Sequence, residues 1–126
     1  MYSILPSWIV QLPKTFSIFK KYYDLYIKMS LKFEIVKKKA RELGYDNVKK
    51  STRKNKKYMI EVEDEETKEK KWIHFGARNY QDFLDHGDEK LKKYYRARHS
   101  KIKLKDGSPA HFKRGSPAFF SYYILW

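Results

Sequence analysis

The sequence predicts a small α+β domain, a β-hairpin packed with two or three helices and an aromatic C-terminal segment. Three observations carry that reading. Tyr58, Ile60 and Val62 alternate with Met59, Glu61 and Glu63, the two-residue period of a half-buried strand. Apolar residues at helical spacing lie on either side of it, from Leu31 to Leu43 and from Leu91 to Ile102. The segment Ala118–Trp126 (AFFSYYILW) is apolar and aromatic in a chain that is otherwise heavily charged. The 126 residues amount to one domain's worth, and at 41 % hydrophobic and 17 % aromatic they are too apolar for a disordered basic tail.

In chain order, residues 1–28 read as an amphipathic, aromatic leader and 29–126 as the domain, because the composition steps at Met29. Tyr2–Leu12 is apolar but interrupted by Pro6, and basic residues follow it. A secretory signal runs the other way and ends in small residues. Residues 14–28 can form a helix with Phe16, Phe19, Tyr23 and Tyr26 or Ile27 on one face. Ser30 is the expected N-cap of a helix over 31–43, with Gly44 as its stop. Residues 45–56, Lys-rich from Lys49, read as a loop. A hairpin over 57–76 turns at Asp64–Glu69. Tyr80–His86 is a short helix closed by Gly87, and Asp88 caps a basic helix over 89–103. Asp106-Gly107 is a turn, Ser108-Pro109 and Ser116-Pro117 bracket a loop, and a final helix folds onto the hairpin.

Charge bounds the function. Lys plus Arg is 29 against 15 Asp plus Glu, so the formal net charge is +14. By segment it is +3 over 1–28, +8 over 29–57, −6 over 58–89 and +9 over 90–126. Two basic blocks thus flank an acidic middle, a balance that favours polyanion partners. The competing reading is a lysine-rich composition whose surface is merely solvated. No run approaches the roughly 18 apolar residues of a membrane-spanning helix, which argues against integral membrane insertion. With no Cys there are no disulfides, no thiol catalysis and no Cys-ligated zinc or iron–sulfur centre.

Two sets of cations are candidates for nucleic-acid binding. On the basic helix, Lys92, Arg96, His99 and Lys103 share one face at 100° per residue, with Lys93, Arg98 and Lys101 beside it, while Leu91, Tyr94, Tyr95 and Ile102 face inward. Such a face neutralises phosphates without reading bases. The second set is Lys49, Lys50, Arg53 and Lys54 in the Lys-rich loop, which can follow a phosphate backbone or simply stay hydrated. The aromatic set Trp72, Phe75, Tyr80, Phe83, Phe119, Phe120, Tyr122, Tyr123 and Trp126 reads as core in preference to a base-stacking platform.

No catalytic residue and no metal or cofactor site is expected. His74, His86, His99 and His111 are spaced 12, 13 and 12 apart, without the three- or four-residue spacing that sets two ligands on one helix face. Asp85-His86 vaguely resembles the start of a His-Asn-His nuclease, but no Asn follows it. His74, on a strand beside Trp72, reads as a buried structural group. There is no glycine-rich phosphate loop, and Ser116 and Ser121 lack a nucleophile elbow.

The stretch from Lys57 to Trp126 carries His74-Phe75-Gly76, Tyr80, Asp88-Glu89, Tyr95-Arg96-Ala97-Arg98-His99, Ser116-Pro117 and Ile124-Leu125-Trp126. Together these resemble the pattern of a family of short basic proteins of nucleocytoplasmic large DNA viruses, of chlorella-virus and mimivirus-like type. That family closes on Leu-Leu-Trp where this chain has Ile-Leu-Trp, and residues 1–28 lie outside the likeness. The resemblance implies a viral source, and a place in the virion, the infected-cell cytoplasm or the viral factory. The expected function is a non-enzymatic protein binding nucleic acid, DNA without sequence preference, largely through phosphates. A structural virion role, as a minor or internal capsid protein meeting acidic virion proteins, is the alternative; a metal-dependent nuclease is the weakest.

Overall fold

The computed structural model describes residues 17–126, with side chains from Lys20 onward. The apolar Tyr2–Leu12 stretch and the Phe16 and Phe19 side chains lie outside the described residues. Helix α1 runs unbroken over Ser17–Glu42. The boundary expected at Met29 therefore falls inside a helix, and Ser30 caps nothing. No Gly or Pro occurs between Pro13 and Gly44, so nothing stops the helix; a Ser favours an N-terminus only where a helix has to begin. The end is as expected. Gly44 N–H donates to the Arg41 carbonyl and Tyr45 N–H to the Ala40 carbonyl, both at 2.9 Å, the paired bonds of a Schellman cap. The Arg114 guanidinium donates to the Leu43 carbonyl as well.

The chain divides into two compact units, Met1–Ile35 and Val36–Trp126. In the first, the described residues are helical, with Tyr22, Leu25, Met29 and Leu31 exposed. The second holds a three-stranded antiparallel sheet in the order β1 (Val48–Lys50), β2 (Lys56–Glu63), β3 (Lys70–Ala77). The hairpin of β2 and β3 matches the sequence reading; β1 corrects the loop expected over 45–56. Val48 pairs with Ile60 and Lys50 with Tyr58. A three-residue edge strand with one apolar side chain shows no period to read, and its lysines are what keep such an edge from pairing further. At the hairpin turn the Asp64 carboxylate accepts from the backbone N–H of Glu66 at 2.8 Å and of Thr67 at 3.0 Å.

Asp82 caps the short helix α2 (Phe83–His86), and Asp85 completes a capping box. The better cap explains why α2 starts at Phe83 and not at Tyr80. Asp88 caps α3 (Glu89–His99) as expected. α3 ends four residues short of the expected 103. There the Ser100 hydroxyl donates to the Ala97 carbonyl at 2.8 Å, and Lys103 is drawn into a bridge with Pro109. After a single 3-10 turn, Ala110–Phe112, Ser116 caps α4 (Pro117–Phe120), which passes into a π-helical turn over Ser121–Leu125. In a π turn residues five apart share a side, which suits the buried pairs Phe119 with Ile124 and Phe120 with Leu125.

The core of the second unit joins Val36 and Ala40 of α1, Val48, Tyr58, Ile60 and Phe75 of the sheet, and Phe119, Phe120, Ile124 and Leu125. Phe120 is its hub, 5.6 Å from the Phe75 ring and 4.9 Å, edge-on, from Tyr45. The C-terminal segment thus folds onto the hairpin, as the sequence implied. No described helix is long and apolar enough to cross a membrane.

Candidate nucleic-acid interface

The sequence-predicted cations separate into two populations. Lys49 and Lys50 sit on β1 and Arg53 and Lys54 in the turn that follows; all four are exposed. Alternation along the strands puts Lys49, Met59 and His74 abreast on the sheet face opposite the core, with Trp72 and Glu61 next along. The Lys49 ammonium lies 5.3 Å over the Trp72 ring. The Ser51 hydroxyl accepts from the Arg53 N–H at 3.0 Å and shares a 2.7 Å hydrogen bond with His74 Nδ1. His74 is half-exposed rather than the buried structural histidine the sequence suggested. Its imidazole is held below the ordinary range, first by lost hydration and then by Arg53 and Lys56. The fully packed histidine is His111, stacked 4.3 Å from Tyr122.

On α3 Tyr95 faces inward as expected, but most of the other expected positions are exchanged. Leu91, Tyr94 and Ile102, expected inside, are exposed. Lys92, Arg96 and His99, expected to face phosphates, are half-buried. The aromatic partners explain the turn. Tyr95 lies flat against Trp126, ring centroids 4.1 Å apart and planes 4° apart, and His99 stacks on Tyr95 at 3.7 Å. Rotating the helix to seat Tyr95 carries Lys92 to 4.4 Å from the Phe83 ring and Arg96 to 4.8 Å from Tyr122, where cation–π attraction offsets part of their dehydration. The Arg96 Nε is buried without a hydrogen-bond partner among the described residues. Lys39 of α1 is pushed below the usual lysine range, by burial first and then by Lys92 and Arg96. Burial likewise pushes the Tyr95 phenol up to about 12.

The cations that α3 offers solvent are Lys90, Lys93 and Arg98, continued by Lys101 and Lys103. Lys49, Arg53, Lys54, Lys93, Arg98, Lys101 and Lys103 form no ion pair with a carboxylate among the described residues. Lys57 differs, since its ammonium is 2.8 Å from Asp82 and 3.3 Å from Asp85. The acidic residues Asp64, Glu65, Glu66 and Glu69 cluster at the hairpin turn, at the end of β2 away from Arg53 and Lys54. Eight strand residues separate the two ends, roughly 24 Å at the rise of an antiparallel strand. Among the described residues no group of three or more His, Asp and Glu side chains could hold a metal ion.

Sequence reasoning missed Lys39 and the inward turn of Arg96. The signal was available: Tyr95 and His99, four apart, are two flat rings on one helix face, a pair that seeks a third ring.

Residues 47–99, from the approach to β1 to the end of α3, match a family of unknown function (DUF5754). No curated protein and no solved structure matches the chain.

Proposed function

We propose that the protein binds nucleic acid, without catalysing a reaction on it, chiefly through phosphates and with little sequence preference. The observation that carries this is the set of exposed cations without carboxylate partners, on β1, the turn after it, and the outer side of α3. Most are lysines, point charges that neutralise phosphate, whereas base readout leans on Arg forks, Asn and Gln. The likeness to short basic proteins of large DNA viruses is in keeping with DNA as the polyanion, in a virion or viral factory. The test is fluorescence anisotropy with two unrelated duplexes at two salt concentrations. Affinity should fall steeply with salt and equally for both. Reversing two cations, Arg53→Glu with Lys54→Glu, should flatten the salt slope by roughly two to four units. Absence of binding at low salt refutes the proposal, and loss for one duplex only refutes its phosphate basis.

A second reading, a structural virion role, draws on a different observation. Tyr22, Leu25 and Met29 recur on one side of α1 and are at least half exposed, an apolar stripe suited to protein contacts. Self-association that survives high salt and is lost in Leu25→Glu is its expected outcome, measured by sedimentation.

A further inference from the structure

A cavity of about 640 Å³ opens where the Lys56 end of the hairpin, α3 and the C-terminal turn meet. That is the size of a pocket for a small ligand. Tyr95, His99 and Trp126 all line it as a three-ring stack, with Tyr95 covered on one face by His99 at 3.7 Å and on the other by Trp126 at 4.1 Å. The trio is fixed before any ligand arrives. His99 Nδ1 is 3.0 Å from the Tyr95 carbonyl; a carbonyl only accepts, so Nδ1 carries the proton and the ring orientation is set. Lys56 and Arg98 line the same space, and neither is ion-paired among the described residues. Gln81 and Ser121 also line it, and their side chains make no hydrogen bond among the described residues. The one acid in the lining, Asp82, is already committed to Lys57 at 2.8 Å.

The cavity therefore presents a stack of aromatic rings, positive charge free of carboxylate partners, and neutral groups able to donate and accept. An apolar ligand would leave the cations unanswered; inorganic phosphate would leave the rings unused. We propose that this cavity binds a nucleotide, its base against the exposed rings of the stack, His99 and Trp126, and its phosphate met by Lys56 and Arg98. Stacking on aromatic side chains tolerates any base, and the Arg98 guanidinium can meet phosphate oxygens two at a time. Either a free mononucleotide or the phosphorylated end of a strand supplies this chemistry. The proposal stands independently of the exposed cations on β1.

The experiment titrates AMP into the full chain and follows the Trp126 indole N–H in a proton–nitrogen correlation spectrum, assigned with Trp8→Phe and Trp72→Phe. The indole resonance should shift and saturate, at a concentration at least tenfold lower than for adenosine or inorganic phosphate alone. Arg98→Glu should weaken AMP at least tenfold, while Arg53→Glu with Lys54→Glu leaves it unchanged even as duplex binding falls. A 5′-phosphorylated tetranucleotide that displaces AMP identifies a strand end as the source; failure to displace it identifies the free nucleotide. Equal affinity for phosphate and AMP overturns the proposal by removing the base from the pocket. An indole resonance that stays put at millimolar AMP overturns it outright.

Discussion

Gly76 lines that cavity, and substituting it measures how tightly the C-terminal turn is seated on the hairpin. Gly76 has φ +81, and a Cβ there would lie 2.8 Å from Leu125 Cδ1 and 3.3 Å from Lys57 Cβ. Gly87 has a comparable φ of +63, yet a Cβ there would meet nothing within 4 Å. Both alanine variants carry the left-handed backbone penalty of about 1–2 kcal/mol. Only Gly76→Ala adds overpacking, about 1–3 kcal/mol when a filled core is forced apart. Leu125 is 1 % exposed, so its methyl has little room to retreat. Gly76→Ala should therefore cost about 3 kcal/mol and Gly87→Ala about 1 kcal/mol. With an m-value of roughly 1.5 kcal/mol per M, urea midpoints should fall by about 2 M and by less than about 1 M. Leu125→Ala alone loses about 2–5 kcal/mol. Combined with Gly76→Ala it should cost less than the two separately, because the shortened side chain admits the new methyl. Equal midpoints for the two glycine variants, or strict additivity with Leu125→Ala, would refute the close seating of the turn.

Phe120→Ala should cost about 3–5 kcal/mol in the same assay, since the ring is fully buried against Phe75 and Tyr45. His74 makes a pH prediction. Its folded pKa lies below the unfolded value near 6.5, so the unfolded chain binds the extra proton first. The contribution is complete above pH about 6.5 and is lost as pH falls from there toward the lower folded pKa; urea midpoints of His74→Gln should depend less on pH than wild type across that window. Arg96→Ala should lower the melting temperature and leave the salt slope of duplex binding unchanged, whereas Arg98→Ala should do the reverse, because only the first side chain lies inside on Tyr122.

The parts of the fold legible in the sequence are those with a strong period or a strong stop. Tyr58, Ile60 and Val62 define β2 through alternation, and Asp88, Gly44 and Gly87 mark helix ends through hydrogen bonding that few residue types supply. β1 is illegible because pairing with β2, not its own residues, makes it a strand. The face of α3 is misread for a different reason. Hydrophobic spacing counts Leu91 and Ile102 as inward and Lys92 and Arg96 as outward, but it does not weigh a specific partner. That partner is Trp126, which lies flat on Tyr95 and decides the rotation of the helix. It stands at the far end of the chain from α3, with a turn, a loop and α4 in between. No window as short as a helix spans that separation, so the ring that orients α3 is invisible to local periodicity.

The positive charge is not one uniform coat. Lys57 is neutralised inside the fold by Asp82 and Asp85. Lys92 and Arg96 are engaged with aromatic rings, and they crowd Lys39 enough to lower its pKa. The exposed cations include the set on β1, the turn after it and the outer side of α3, and the acidic hairpin turn lies at the far end of β2 from Arg53 and Lys54. Over roughly 24 Å of strand, more than two Debye lengths at physiological salt, the two ends act as separate poles. Replacing Glu65 and Glu66 by Gln should therefore change the affinity for DNA little in the anisotropy titration, because the acidic turn lies beyond screening range of phosphates held at the other end. A large gain in affinity at physiological salt would instead place the DNA alongside the acidic turn and refute the separation of the poles.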